Sequence, residues 1–119
     1  MTDLTKLVDR YVDIWNETDA EARRDLVAAS FTEEGRYVDP MMSGAGHEGI
    51  DTMIAGVQQR FPGFQLRRTS DVDAHNGLLR FNWELGPAGA EAPVKGLDVG
   101  IVDGDRLSRI AGFLDQVPG

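Results

Sequence analysis

The hydrophobic period changes once along the chain, and that change limits the fold more than any other feature. Up to Phe61 the apolar residues recur at helical spacing. Leu4, Leu7, Val8, Tyr11, Ile14 and Trp15 share one face of a first helix. In the second, Thr18 is placed to cap, Glu21 three residues later completes a capping box, and Leu26 and Val27 give an apolar edge. Ile50, Met53, Ile54, Val57 and Phe61 line a third helix, which Pro62-Gly63 ends. Beyond it the period is two. Leu79, Phe81, Trp83 and Leu85 alternate with Arg80, Asn82 and Glu84. Asn76-Gly77 marks a hairpin turn, because both turn residues need positive φ. Asp103-Gly104 marks another. The segments "FQLRRTSDVDA", "LLRFNWEL", "VKGLDVGIV" and "RLSRIAGFLD" therefore read as strands, antiparallel because their connections are short. A shorter strand, "RYVD", precedes the third helix and is stopped by Pro40. The expectation is one α+β domain over residues 1–119, a curved antiparallel sheet wrapped around three N-terminal helices.

Composition fits this and narrows the function. A chain of 119 residues, 41% of them hydrophobic, suits a single core. Its formal net charge of −8 opposes nucleic acid and anionic membrane as partners, since both carry the same sign. There are no cysteines, so thiolate catalysis and cysteine-ligated zinc are excluded. Two histidines without a ligand spacing do not make a metal site. No basic-then-apolar leader opens the chain and no apolar run reaches membrane-spanning length, which makes a cytoplasmic protein the expectation.

Gly44-Ala45-Gly46-His47-Glu48-Gly49 is a literal G-x-G-x-x-G, with Asp71 downstream. A dinucleotide site also requires a parallel βαβ unit, and the downstream strands are hairpin-linked, so the run reads as a loop leading into the third helix. His47 in that loop is a candidate at a pocket mouth, and His75 beside the hairpin turn is a solvated residue. Asp39 has two readings. Aspartate before proline commonly closes a strand by bonding to nearby backbone. Alternation also puts it on the face of Tyr37, where it could enter a pocket.

The helix–helix–strand–helix–sheet order resembles the nuclear-transport-factor-2-like superfamily, which includes ketosteroid isomerases, SnoaL-like polyketide cyclases and limonene epoxide hydrolases. The residues carrying the resemblance are "RYVDIWNETD", "YVDP", "GHEGIDTMI" and "GLDVGIVDGDRLSRIAGFLD". It implies a cystatin-like, SnoaL-like α+β barrel, in which the sheet curls into a cone over an apolar pocket. Residue by residue, the ketosteroid isomerase pattern makes Asp39 the general base and Tyr11 the donor to the substrate oxyanion. The same pattern has a protonated second acid as a further donor, and Ile101 falls where it should stand. Alternation puts Ile101 with Leu97 and Val99, and Asp98 on the opposite face with Gly96 and Gly100. Asp98 and Asp115 are the strand carboxylates to test for a cyclase's acid–base role. An epoxide hydrolase needs an Asp–Arg–Asp set that spacing does not place.

Two functions from different classes follow. One is a cofactor-free isomerase or cyclase acting on a small apolar carbonyl compound. Asp39 and Tyr11 would be catalytic, and Trp15, Tyr37, Met42, Phe61, Phe64, Phe81, Trp83 and Asp98 would contact substrate. The other is a non-catalytic, ligand-binding or dimeric module of the same fold. Its homodimer would form through the outer sheet face, where Gly96 and Gly100 would permit close packing.

Overall fold

The computed structural model describes residues 4–118. Helix α1 (Leu4–Asn16) buries Leu7, Val8, Tyr11, Ile14 and Trp15 as its spacing predicts. Its last residue fixes its position on the sheet. The Asn16 amide donates to the Leu66 carbonyl at 2.9 Å and accepts from the Leu66 N–H at 2.8 Å. Helix α2 (Ala20–Ser30) is capped by Asp19, not Thr18: the Asp19 carboxylate accepts from the Ala22 N–H at 2.9 Å. A carboxylate cap gains from the helix dipole as well as from the hydrogen bond, which a threonine would not. Helix α3 (Gly46–Arg60) buries Ile50 and Ile54. It is tied to α2 by Arg23, which bonds Asp51 at 2.7 Å and Gln58 at 2.8 Å while nearly excluded from solvent.

The strands are β1 (Phe31–Val38), β2 (Ser43–Ala45), β3 (Phe64–Arg68), β4 (Asp73–His75), β5 (Leu78–Pro87), β6 (Val94–Asp103) and β7 (Arg106–Gln116). They form one sheet in the order β2-β1-β7-β6-β5-β3, with β4 also on β5. The hairpin-linked strands are antiparallel, and Asn76 and Gly77 both hold positive φ, at 50° and 76°. Two expectations are corrected. The sheet is mixed, because β1 runs parallel to β7 after the chain crosses over through α3 and the later strands. It is also open, since β2 and β3 end the strand path and no ladder joins them, so it is a curved sheet and not a closed barrel. The single segment "FQLRRTSDVDA" divides into β3 and β4, with Ser70 taking the Asn82 N–H at the break. The third helix lies between β2 and β3 in chain order.

The concave face holds the core. Exposure along it rises in one direction on β5, on β7 and beyond β1, while β6 stays buried on this face from Val94 to Gly100. It goes from Leu79 and Phe81 to Trp83 and Leu85 on β5, from Ile110 to Leu114 on β7, and from Tyr37 to Asp39 beyond β1. Trp15, at the last turn of α1, lies at the same end.

Candidate active site

Strand β6 decides what lies inside. The burial along it alternates so that Gly96, Asp98 and Gly100 face the helices, while Leu97, Val99 and Ile101 face out. The alternation holds, but the glycine face is the inner one, so Gly96 and Gly100 cannot pack an outer interface. Large side chains on the neighbouring strands account for this. A Cβ on Gly96 would stand 2.3 Å from the Trp83 ring, and one on Gly100 would press on Ile110, Leu79 and Leu107. Ile101 is exposed on the convex face and occupies no position in the site.

Asp98 is 2% exposed and sits between two donors. The Tyr11 hydroxyl donates to its Oδ2 at 2.9 Å, and the Trp83 indole N–H donates to its Oδ1 at 2.9 Å. Burial pushes the Asp98 carboxyl up to about 7; the two hydrogen bonds oppose that rise and the nearby Asp39 charge adds to it. Burial, with the Asp98 charge second, holds the Tyr11 hydroxyl well above the usual tyrosine range. Tyr11 is therefore a neutral donor, as an oxyanion site requires. Its proton is directed at Asp98 in this arrangement.

Asp39 takes the turn role of its first reading and lies on the face of Tyr37. Its Oδ1 accepts from the Met41 and Met42 N–H groups at 2.7 and 3.0 Å, the turn role. Its Oδ2 accepts from the Tyr37 hydroxyl at 2.6 Å on the inner face. Burial also raises Tyr37, with Asp98 and Asp39 contributing. The two carboxylates approach across Gly112, a residue that sequence reasoning missed. A Cβ there would lie 3.0 Å from Asp98 Oδ1, 3.1 Å from the Tyr37 oxygen and 3.2 Å from the Asp39 Cβ. Gly112 pairs with Asp98 across the β6–β7 ladder, a register that only the folded sheet reveals, and any side chain there would fill the junction.

The aromatic residues pack around this junction. Tyr11 meets Trp15, Phe31 and Phe81 edge-on, and Trp15 meets Tyr37 at 5.5 Å between ring centroids. Trp15 is 8% exposed and its indole Nε1 has no hydrogen-bond partner, the one such buried side-chain atom among the described residues. Leaving an N–H unpaired in a core costs about 1–3 kcal/mol. Met42 is half-buried against the core. Phe61 and Phe64 pack against each other at the α3–β3 turn, their ring centroids 5.2 Å apart.

The other candidates lie elsewhere. Asp115 and His75 are exposed. His47 Nε2 lies 2.9 Å from the Phe31 carbonyl, at a cleft of about 490 Å³ lined with Arg24, Glu48, Asp51 and Thr52. A second cleft, of about 410 Å³, opens at Ser70, Asp71 and Arg80. Neither includes Asp39, Tyr11 or Asp98. Gly44–Gly49 joins an antiparallel β1–β2 pair to α3, which is not a βαβ unit. Among the described residues no three His, Asp or Glu side chains group as metal ligands would, and no helix is long and apolar enough to cross a membrane.

Comparison places this geometry among known proteins. Residues 8–110 match the family profile of the SnoaL-like domain. A proposed isomerase of the SnoaL-like family from Agrobacterium tumefaciens is 37% identical, with 92% of this chain and 95% of that one covered and a TM-score of 0.88. A proposed ketosteroid isomerase from Kribbella flavida shares the fold at 20% identity, over 97% of this chain and 79% of that one, with a TM-score of 0.70. A protein of ketosteroid isomerase-like fold from Catenulispora acidiphila, solved with trimethylamine, shares it at 18% identity, over 94% and 85%, with a TM-score of 0.75. Among curated proteins the chain has no match.

Proposed function

The chain belongs to the SnoaL-like domain family, and from that premise we propose a cofactor-free isomerase or cyclase acting on a small, mostly apolar carbonyl compound. Asp39 takes the proton beside the carbonyl, and Tyr11 donates to the oxygen on which charge develops. The observation that carries this reading is the junction at Gly112, where the Tyr37–Asp39 pair and the Tyr11–Asp98–Trp83 chain converge on the concave face.

Asp98 supplies the control over Tyr11. When ionised it holds the Tyr11 proton. When protonated it donates to the Tyr11 oxygen, and the Tyr11 proton turns to the substrate. Activity therefore falls as the pH rises through about 7, where Asp98 ionises. The test is turnover of a cyclic β,γ-unsaturated ketone, followed by the absorbance of the conjugated product. Asp39→Asn keeps the shape and removes the base, so kcat should fall roughly 10²- to 10⁴-fold. Asp98→Asn should abolish the pH limb near 7. Turnover unchanged in Asp39→Asn would dismiss Asp39 as base.

A binding module is the second reading, favoured by the apolar convex face. Phe113 is 53% exposed there and pairs across strands with Leu97, while Ile101 pairs with Leu78. A homodimer through that face is compatible with either reading, because the site opens on the opposite side of the sheet.

A further inference from the structure

The start of α3 carries four polar side chains on neighbouring columns of one surface. His47 and Asp51 are four residues apart, and so are Glu48 and Thr52, which is the spacing that stacks side chains along a helix. Across from them α2 presents two consecutive arginines that turn to different sides: Arg23 is buried and Arg24 is exposed. Arg24, His47, Glu48, Asp51 and Thr52 line the cleft of about 490 Å³, and no apolar side chain is among them.

Its floor is held from below. Asp51 Oδ1 accepts from Arg23 Nε at 2.7 Å, with side chains 13% and 7% exposed. Arg23 Nη1 donates to Gln58 Oε1 at 2.8 Å, and the Gln58 amide donates to the Trp15 and Glu17 carbonyls, each at 2.9 Å. The Arg23–Asp51 pair balances its own charge. The walls keep one free cation and one free carboxylate, because Arg24 and Glu48 make no ion pair or hydrogen bond among the described residues, with each other or with any other group. His47 adds an acceptor. Only an N–H can donate to the Phe31 carbonyl, so that bond assigns the proton of the neutral ring to Nε2 and leaves Nδ1 with its lone pair.

This lining restricts the ligand. An anion would meet Glu48 and Asp51, and a simple cation would meet Arg24. A neutral polyol would leave both free charges without a counter-charge, and an apolar compound would find no apolar wall. The complement is a small molecule with both signs of charge and no net charge. A guanidinium takes a carboxylate by two parallel N–H bonds, and an ammonium has three donors to place. Glu48, Asp51 and His47 supply acceptors for those donors on α3, opposite the guanidinium on α2.

We infer that the α2–α3 cleft binds a small zwitterion of the α-amino acid type, its carboxylate on Arg24 and its ammonium on Glu48. The cleft shares no residue with the Asp39–Tyr11 site, so this stands apart from the proposed reaction.

The experiment uses the ¹⁵N-labelled full chain and three probes: glycine, and its two halves, acetate and methylammonium. Glycine should move the backbone amides of residues 47–52 in a saturable way. Acetate and methylammonium each make one of the two charged contacts, so each should bind at least about 10-fold more weakly. Arg24→Gln and Glu48→Gln remove one contact each from the rim of the cleft, and either should weaken glycine roughly 10- to 150-fold, the loss of one charge-assisted hydrogen bond. Amides unmoved by glycine overturn the inference. So does acetate binding as well as glycine, which would make the cleft a plain anion site, or methylammonium doing so, which would make it a cation site. Glycine binding undiminished in both variants would place the zwitterion elsewhere. Asp39→Asn should leave the glycine titration unchanged, so failure of the proposed base and failure of this site are read separately.

Discussion

At the scale of single residues, Asp98 links stability to pH. Its carboxyl ordinarily ionises near 3.8 and in the fold near 7. Between those values the native state keeps a proton that the unfolded chain has released. Stability therefore falls as the pH rises from about 4 to about 7, and levels off above it. The full difference of about three pH units corresponds to roughly 4 kcal/mol. Asp98→Asn resembles the protonated form. Its carbonyl can accept from Trp83 while its amide donates to the Tyr11 oxygen. Thermal unfolding should therefore show the variant near the native protein at pH 4–5 and well above it at pH 8. Parallel curves for the two proteins across that range would refute the assignment of a neutral Asp98. The same residue marks the limit of what the sequence tells. An aspartate in an apolar strand needs partners if it is buried, and that much is plain from the chain. That the partners are Tyr11 and Trp83, one 87 residues away and one 15, depends on the curl of the sheet.

At the scale of elements, the helices and hairpins were legible because each rests on local physics. The face of α1, the Asn76-Gly77 turn and the alternation of β5 all follow from period and backbone preference. Strand β6 was legible in its period and not in its sign. Leu97, Val99 and Ile101 are more apolar than Gly96, Asp98 and Gly100, so hydrophobicity alone favours the wrong face as the inner one. The tertiary term that reverses it is volume. Trp83 stands opposite Gly96 on the paired strand, and the ring occupies the space that a side chain at 96 would take. The parallel β1–β7 pairing was hidden for a related reason, since it joins strands separated by most of the chain. Gly96→Ala tests the volume argument. A new methyl 2.3 Å from Trp83 and 2.4 Å from the Phe113 carbonyl forces the strand or the ring to move. The expected cost is about 2–3 kcal/mol in urea unfolding, with the Trp83 fluorescence altered in the folded state. A variant as stable as the native protein would mean that the inner face of β6 is loosely packed.

At the scale of the whole molecule, the sheet has two faces with different occupants. The concave face is covered by α1, α2 and α3, and carries the junction of carboxylates and rings. Among the described residues no element covers the convex face, yet it shows an apolar row across three strands: Leu78 and Ile101, Val99 and Ala111, Leu97 and Phe113. Arg80 and Arg109 flank that row, so its rim is polar and its centre is not. This is the anatomy of a contact surface, with apolar groups central and charge at the edge. A second copy meeting it about a two-fold axis would bury the row against itself, on the side of the sheet away from Asp39 and Tyr11. Net charge works against association: each chain carries −8, so two copies repel, and raised salt should screen the repulsion and favour the pair. Sedimentation at micromolar concentration should give a dimer, tighter at higher salt. Phe113→Glu puts a charge at the centre of the row, where it would be desolvated opposite its own copy, and should shift the protein to monomer by more than 100-fold in Kd, about 3 kcal/mol or more. Because Phe113 points away from Asp39 and Tyr11, the monomer should keep the fold. A native protein that sediments as a monomer at low and high salt alike would leave the convex face without a partner of its own kind.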